Sequence, residues 1–269
     1  MVNIIEIRNL TFKYRNKLIF NELNLNIKEG TFLTVSGSSG CGKTTLVRLI
    51  IGLLKSNNNI KINNIVMNEE SKTNIRKELA IVFENPENSL LEDTVKENII
   101  MPLENLNISK KEINNRLKEI SELLNIESLL DLATYSLSGG EKQLVSIAIA
   151  LALKPKILIL DEFASMLDGV EKEKIFKLLK KINREQKITI INFTSDIEES
   201  LYSKELCLID EGKVVLNEKI NKAFDNEKIF KNCNLELPFI VSLCNKLKYY
   251  NLVDKTIFNM DKLVDQLWK

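Results

Sequence analysis

The sequence predicts an α/β chain built on a parallel sheet, and three observations predict it. Two nearly continuous apolar runs, "KILIL" and "KITIIN", read as central strands covered on both faces. Between them, "VEKEKIFKLLKKIN" has the apolar spacing of a crossover helix, the connection that neighbouring parallel strands require. Upstream, "GSSGCGKTT" stands between a strand pattern and a helix pattern, where a phosphate-binding loop belongs.

The remaining elements follow in chain order. "IIEIRNLTFKY" and "KLIFNELNLNI" alternate apolar and polar residues around a short polar turn, the period-two signal of antiparallel strands with one buried face. "TFLTV" continues as a strand and "GKTTLVRLIIGLL" as a helix. From Lys110 to Ile126, the spacing of Ile113, Leu117, Ile120 and Leu124 marks an amphipathic helix. Ser138 followed three residues later by Glu141 is a capping box opening a helix that is apolar nearly all round. "ELCLIDEGKVVLN" is a hairpin turned at Glu211-Gly212, and from about Glu218 the chain becomes a more helical appendage.

Composition removes several classes of function. The 269 residues, 44% hydrophobic, can bury a sizeable core. A net charge of +1 argues against a nucleic-acid binder, which would carry a basic patch or stripe. No run approaches the roughly 18 apolar residues of a membrane span, and "MVNIIEIRNL" lacks the pattern of a signal peptide. The chain contains no histidine, so a histidine base or metal ligand is excluded. Cys41, Cys207, Cys233 and Cys244 show neither metal-ligand spacing nor a disulfide framework. The expectation is a cytosolic chain, any membrane role of which must come through a partner.

The segment Gly37, Ser38, Ser39, Gly40, Cys41, Gly42, Lys43, Thr44 and Thr45 fits G-x-x-x-x-G-K-[ST]. Glycines let backbone N–H groups converge on a polyphosphate, and the following helix N-terminus adds its positive dipole end. Lys43 is expected to reach the β- and γ-phosphates and the Thr44 hydroxyl to ligate Mg²⁺. In "KILILDE", Asp161 ends a strand where a carboxylate can hold the metal shell, and Glu162 can polarise the attacking water. Gly139 and Gly140, after Ser138, leave first-turn amides open as a second anion site.

With "SLSGGEKQLVSIAIALALKPKILILDEFASMLD" the chain resembles the ABC-transporter ATPases. The resemblance implies a P-loop ABC ATPase: a mixed RecA-like core, an N-terminal antiparallel β-subdomain, a helical signature subdomain and a small C-terminal appendage. It places an ATP-binding domain at 1–217, with its helical subdomain at about 84–145, and a helical dimerisation segment at 218–269. It implies two ATP molecules sandwiched in a head-to-tail dimer, with Ser138, Gly139 and Gly140 on the γ-phosphate of the opposite subunit. Tyr14 falls where family members stack an aromatic on adenine, "FENPENS" resembles the Q-loop, Ser165 to Asp168 the D-loop, and "FTSD" the switch region. "FENPENS" and the closing "ELPFIVSLCNKLK" are most like the A-type ATPases of energy-coupling factor transporters, which import vitamins or transition-metal ions. The partners so implied are a second ATPase, a transmembrane coupling protein and a substrate-binding membrane component, at the cytoplasmic face.

Two positions depart from the family pattern. Glu84 replaces the Q-loop glutamine; a carboxylate can approach Mg²⁺ but cannot donate to water. Ser195 replaces the switch histidine and offers one donor, a shorter reach and no positive charge. Leu144 also stands where the family has a basic residue. The expectation is a site of weak hydrolysis, with Glu162, Glu84 and Ser195 as its catalytic residues, in an asymmetric heterodimer. The alternatives are a homodimer, a non-hydrolytic nucleotide-binding subunit, or the ATPase of another ABC transporter.

Overall fold

The computed structural model describes residues 2–268. Two long antiparallel strands open the chain, β1 (Asn3–Tyr14) and β2 (Lys17–Lys28). Their alternation buries Ile5, Ile7 and Leu10 from one strand and Leu23, Leu25 and Ile27 from the other. β3 (Phe32–Ser36) then enters the central sheet and α1 (Lys43–Ile50) leaves it. β4 (Ile60–Ile62) and β5 (Ile65–Val66) form a hairpin on Asn63 and Asn64, whose φ values of 49° and 64° lie in the left-handed region that asparagine tolerates. β4 pairs with β1, so the first sheet has the order β2-β1-β4-β5.

After α2 (Lys72–Arg76), β6 (Leu79–Phe83) leads into three helices, α3 (Val95–Glu104), α4 (Lys110–Leu124) and α5 (Gly139–Ala152). Next come β7 (Ile157–Asp161), α6 (Gly169–Gln186) and β8 (Thr189–Thr194), the strand-helix-strand unit expected from the apolar runs. The hairpin of β9 (Glu205–Asp210) and β10 (Lys213–Lys219) turns on Glu211-Gly212. The chain closes with α7 (Ile220–Ala223), α8 (Glu227–Asn232), α9 (Phe239–Tyr249) and α10 (Met260–Leu267). β10 runs through the expected boundary at 217.

The second sheet has the order β10-β9-β3-β8-β7-β6, parallel except for β10, and so it is mixed. Its central strands β3, β8 and β7 are buried on both faces, while the edge strand β10 is largely exposed. Leu158, Leu160 and Ile190 pack with Ile99, Val145 and Phe176 under the helices, while Ile157, Ile159, Ile191 and Phe193 pack with Leu46, Ile50 and Ile5. Each fully buried Ile, Leu or Phe contributes about 1.5–3 kcal/mol, which explains why these strands read as unbroken apolar runs. The C-terminal helices set Phe224, Phe230 and Val241 against Leu206 and Leu208 of β9, so the appendage shares a core with the sheet.

Strand register positions the site. Ser36 lies opposite Thr194, Phe193 opposite Asp161, and Asp161 opposite Phe83. The residues that follow, Gly37, Ser195, Glu162 and Glu84, therefore leave the sheet at one edge, the carboxyl ends of parallel strands where open α/β sheets bind ligands.

Candidate functional site

The phosphate loop joins β3 to α1. Gly42 has φ 110°, a conformation that L side chains rarely adopt, and an added Cβ would lie 2.8 Å from Phe20 Cζ. Cys41 N donates to Ser38 O at 3.2 Å, and Leu46 N to Gly42 O at 2.8 Å. Cys41 is buried, and burial pushes its thiol up, so it fills the loop rather than acting as a reactive thiol. Ser39, Gly40 and Thr44 face solvent, and Ser38 and Thr45 are half-buried.

Lys43 is only 6% exposed and is folded back on its own loop. Its ammonium donates to Gly37 O at 2.9 Å and lies 3.6 Å from Glu162 Oε1. Glu162 has φ 50°, anchored by its N–H donating to Phe193 O at 2.8 Å. This turn off the end of β7 aims its carboxylate across the edge, a strained backbone of the kind that clusters at functional sites. Ser195 completes the contact, with its backbone N 3.0 Å and its Oγ 3.1 Å from Glu162 Oε2, donating to it. Glu84 accepts from Ser165 Oγ at 3.3 Å.

Asp161 is 7% exposed, and its Oδ1 is buried without a hydrogen-bond partner. Burial first, then the neighbouring charges of Glu162 and Glu84, pushes its carboxyl from 3.8 up to about 6. An orphaned buried carboxylate oxygen among like charges has the chemistry that suits a divalent cation. The raised value carries a sign for stability. Over the window from about 4 to 6 the folded chain keeps a proton that the unfolded chain has released, so stability falls as pH rises through it. Asp161→Asn is expected to raise the Tm of the nucleotide- and metal-free protein on the order of 3 °C at pH 7.5. The gap should narrow below pH 6 and vanish near pH 4; an unchanged Tm at pH 7.5 counts against the buried charge.

The other expected residues stand apart. Ser138 caps α5 with the capping box complete: Glu141 N donates to Ser138 Oγ at 3.2 Å and Ser138 N to Glu141 Oε2 at 2.8 Å. Ser138 and Gly139 are exposed, and among the described residues no hydrogen bond or ion pair joins them to the phosphate loop. The carboxylate of Asp168 accepts from Val170 N at 2.9 Å and Glu171 N at 2.8 Å, so it serves as the N-cap of α6. Tyr14 is exposed at the end of β1, its ring edge-on to Phe12 at 5.0 Å. Leu144 packs against the core beneath the helices.

Some contributors have no signature in the sequence. Gln143, 1% exposed, donates to Phe83 O at 3.1 Å, and Lys142 pairs with Glu87 at 2.8 Å. Both tie α5 to the segment around Glu84. Lys172, Asp196 and Glu199 form a charged group beside Ser195. Only the fold brings these residues together, since they lie on separate elements.

The family model described as ABC transporter matches residues 20–165. The energy-coupling factor transporter ATP-binding protein EcfA1 of Ligilactobacillus salivarius is 37% identical over 98% of this chain and 95% of its own length. EcfA1 of Mycoplasmopsis synoviae is 33% identical over 99% of this chain and all of its own. Among solved structures, cbiO1 from Clostridium perfringens, described as part of the ABC transporter complex cbiONQ, superposes with a TM-score of 0.80 and 31% identity over 91% of this chain and all of its own. The ATP-binding cassette MJ0796, solved as a dimer bound to ADP and Pi, gives a TM-score of 0.71 and 31% identity over 80% of this chain and 98% of its own.

Proposed function

The chain belongs to the ABC transporter ATPases, and within them to the ATP-binding subunits of energy-coupling factor transporters; on that premise we propose that it powers uptake of a vitamin or transition-metal ion as one half of an asymmetric ATPase pair. The observation that carries the reading is the contact between Glu162 and Ser195. A carboxylate suited to polarise water is present, and the group that holds it is a hydroxyl rather than an imidazole.

The chemistry follows from these atoms. Polyphosphate entering the loop gives Lys43 a stronger partner than the Gly37 carbonyl, and the ammonium turns toward the β- and γ-phosphates. Glu162 Oε1 loses its cation and is free to accept a proton from the attacking water. Ser195 steadies the other oxygen but supplies no positive charge to the γ-phosphate, so turnover at this site is slow. Asp161, Glu84 and Thr44 would hold Mg²⁺, which would supply charge neutralisation for the bound polyphosphate. Tyr14 stacks on adenine.

Ser138, Gly139 and Gly140 complete a second site on a partner ATPase that brings its own histidine. Asp168 lies at that interface, and the segment from about 84 to 136 docks a transmembrane coupling protein that works with a substrate-binding membrane component. Residues 218–269 add a dimerisation surface, a reading supported by exposed Phe239 and Tyr249. No helix among the described residues is long and apolar enough to cross a membrane, so attachment to the cytoplasmic face runs through these partners.

Affinity isolation from native membranes, with mass spectrometry of what co-purifies, tests the assembly. A second ATPase bearing a switch histidine together with a transmembrane protein is the expected result; recovery without another ATPase overturns the asymmetric pair. In the assembled complex, Ser195→His is expected to raise turnover at this chain's own site at least about tenfold. The single-turnover rate is the check, and no gain counts against the assignment of Ser195 as the weak point.

A further inference from the structure

Beyond Ser195, the switch segment is tied down to α6. Lys172, in the first turn of α6, places its ammonium 2.8 Å from Asp196 Oδ2 and 3.0 Å from Glu199 Oε1. Glu199 is 2% exposed, and its second oxygen accepts from Asn192 Nδ2, inside β8, at 2.8 Å. Asp196 follows Ser195 directly, and its Oδ1 accepts from Glu198 N at 3.0 Å to cap the short 3-10 helix Ile197–Tyr202. Surface ion pairs call for no explanation. This lysine, its side chain 21% exposed, is different, because it bridges two acids of one short segment and one of them is fully buried.

We infer that Lys172 is a positioning residue for ATP hydrolysis: it holds the switch segment where Ser195 N and Oγ both reach Glu162 Oε2. The inference rests on Glu162 being the group that polarises water. Ser195 sits on a turn between β8 and the 3-10 helix, and among the described residues its hydrogen bonds go to Glu162 alone. Asp196 and Glu199 bracket that turn, and Lys172 fastens both to α6. Because α6 begins at its cap Asp168, the same lysine also joins the segment Ser165 to Asp168 to the switch. A shift of the loop at one end of this link is felt by the serine at the other.

The test uses the ATPase dimer as isolated, with any second ATPase's phosphate-loop lysine changed to Ala so that only this chain's site turns over. Lys172→Met is expected to slow single-turnover hydrolysis about tenfold through misplacement of Glu162, with ATP affinity unchanged. Lys172→Arg should restore most of the rate. Since Lys172→Met alone strands a buried carboxylate, the double change Lys172→Met/Glu199→Gln removes both charges and should show the same loss in a well-folded protein. In a Ser195→Ala background, where the backbone N–H contact with Glu162 remains, the Lys172 change should add only part of its loss, because the two changes share the Oγ contact. An unchanged rate in the double variant, while Glu162→Gln still stops turnover, overturns the positioning role alone. Equal losses of rate and ATP affinity assign Lys172 to stability and overturn it too. A Glu162→Gln protein that turns over normally overturns the assignment of the base, and the inference falls with it.

Discussion

Glu162→Gln is expected to abolish single-turnover hydrolysis at this chain's own site, a loss of about 10²–10⁴-fold, while ATP still binds. The amide keeps an oxygen to accept from Ser195 N and Oγ, now 3.0 and 3.1 Å from the carboxylate, so the switch segment need not move. It cannot take a proton from water. It also removes the charge facing Lys43 at 3.6 Å, so the ammonium leaves the Gly37 carbonyl more readily. ATP affinity should therefore be unchanged or tighter, never weaker. Rate and affinity measured on the same preparation separate loss of the base from loss of the fold, and an undiminished rate removes Glu162 from the mechanism.

Gly139→Asp is expected to abolish transport, with a loss on the order of 10²-fold or more, the scale of removing a preorganised donor from a developing charge. A Cβ at Gly139 meets nothing within 4 Å, so the substitution leaves folding intact and the Tm close to that of the parent. What it changes is the field at the start of α5, where a carboxylate competes with phosphate for the open amides and the positive dipole end. This chain's own phosphate loop should bind ATP as before. Gly140 is a poorer probe, because a side chain there overlaps the carboxylate of Glu171, which must swing aside. Unimpaired transport in Gly139→Asp would show that these amides serve no partner.

Much of the architecture is legible in short windows of sequence. "KILIL", "KITIIN" and the helix between them announce a strand-helix-strand unit, and the structure has it. Other parts hide. β4 and β5 are three and two residues long, too short to show a period, and they exist because β1 offers them an edge to pair with. The C-terminal helices read as a separate appendage, yet their apolar faces close on Leu206 and Leu208, which no local pattern could reveal. In the site, each expected segment could be read alone, but the contact of Ser195 with Glu162 could not. It joins residues 33 apart in sequence, each just past the end of one of two neighbouring strands.

The sequence by itself determined the phosphate loop, the capping box at Ser138 and the absence of any histidine to serve at position 195. These are contiguous or compositional features, written by local backbone geometry and hydrogen-bonding chemistry within a few residues. Tertiary structure decided that Lys43, Asp161, Glu162, Glu84 and Ser195 share one edge, and that Lys172 fastens the segment beside them. Strand order and register settle those placements. Both are set by burial of two apolar faces across the whole chain, a sum over distant residues that no short stretch contains.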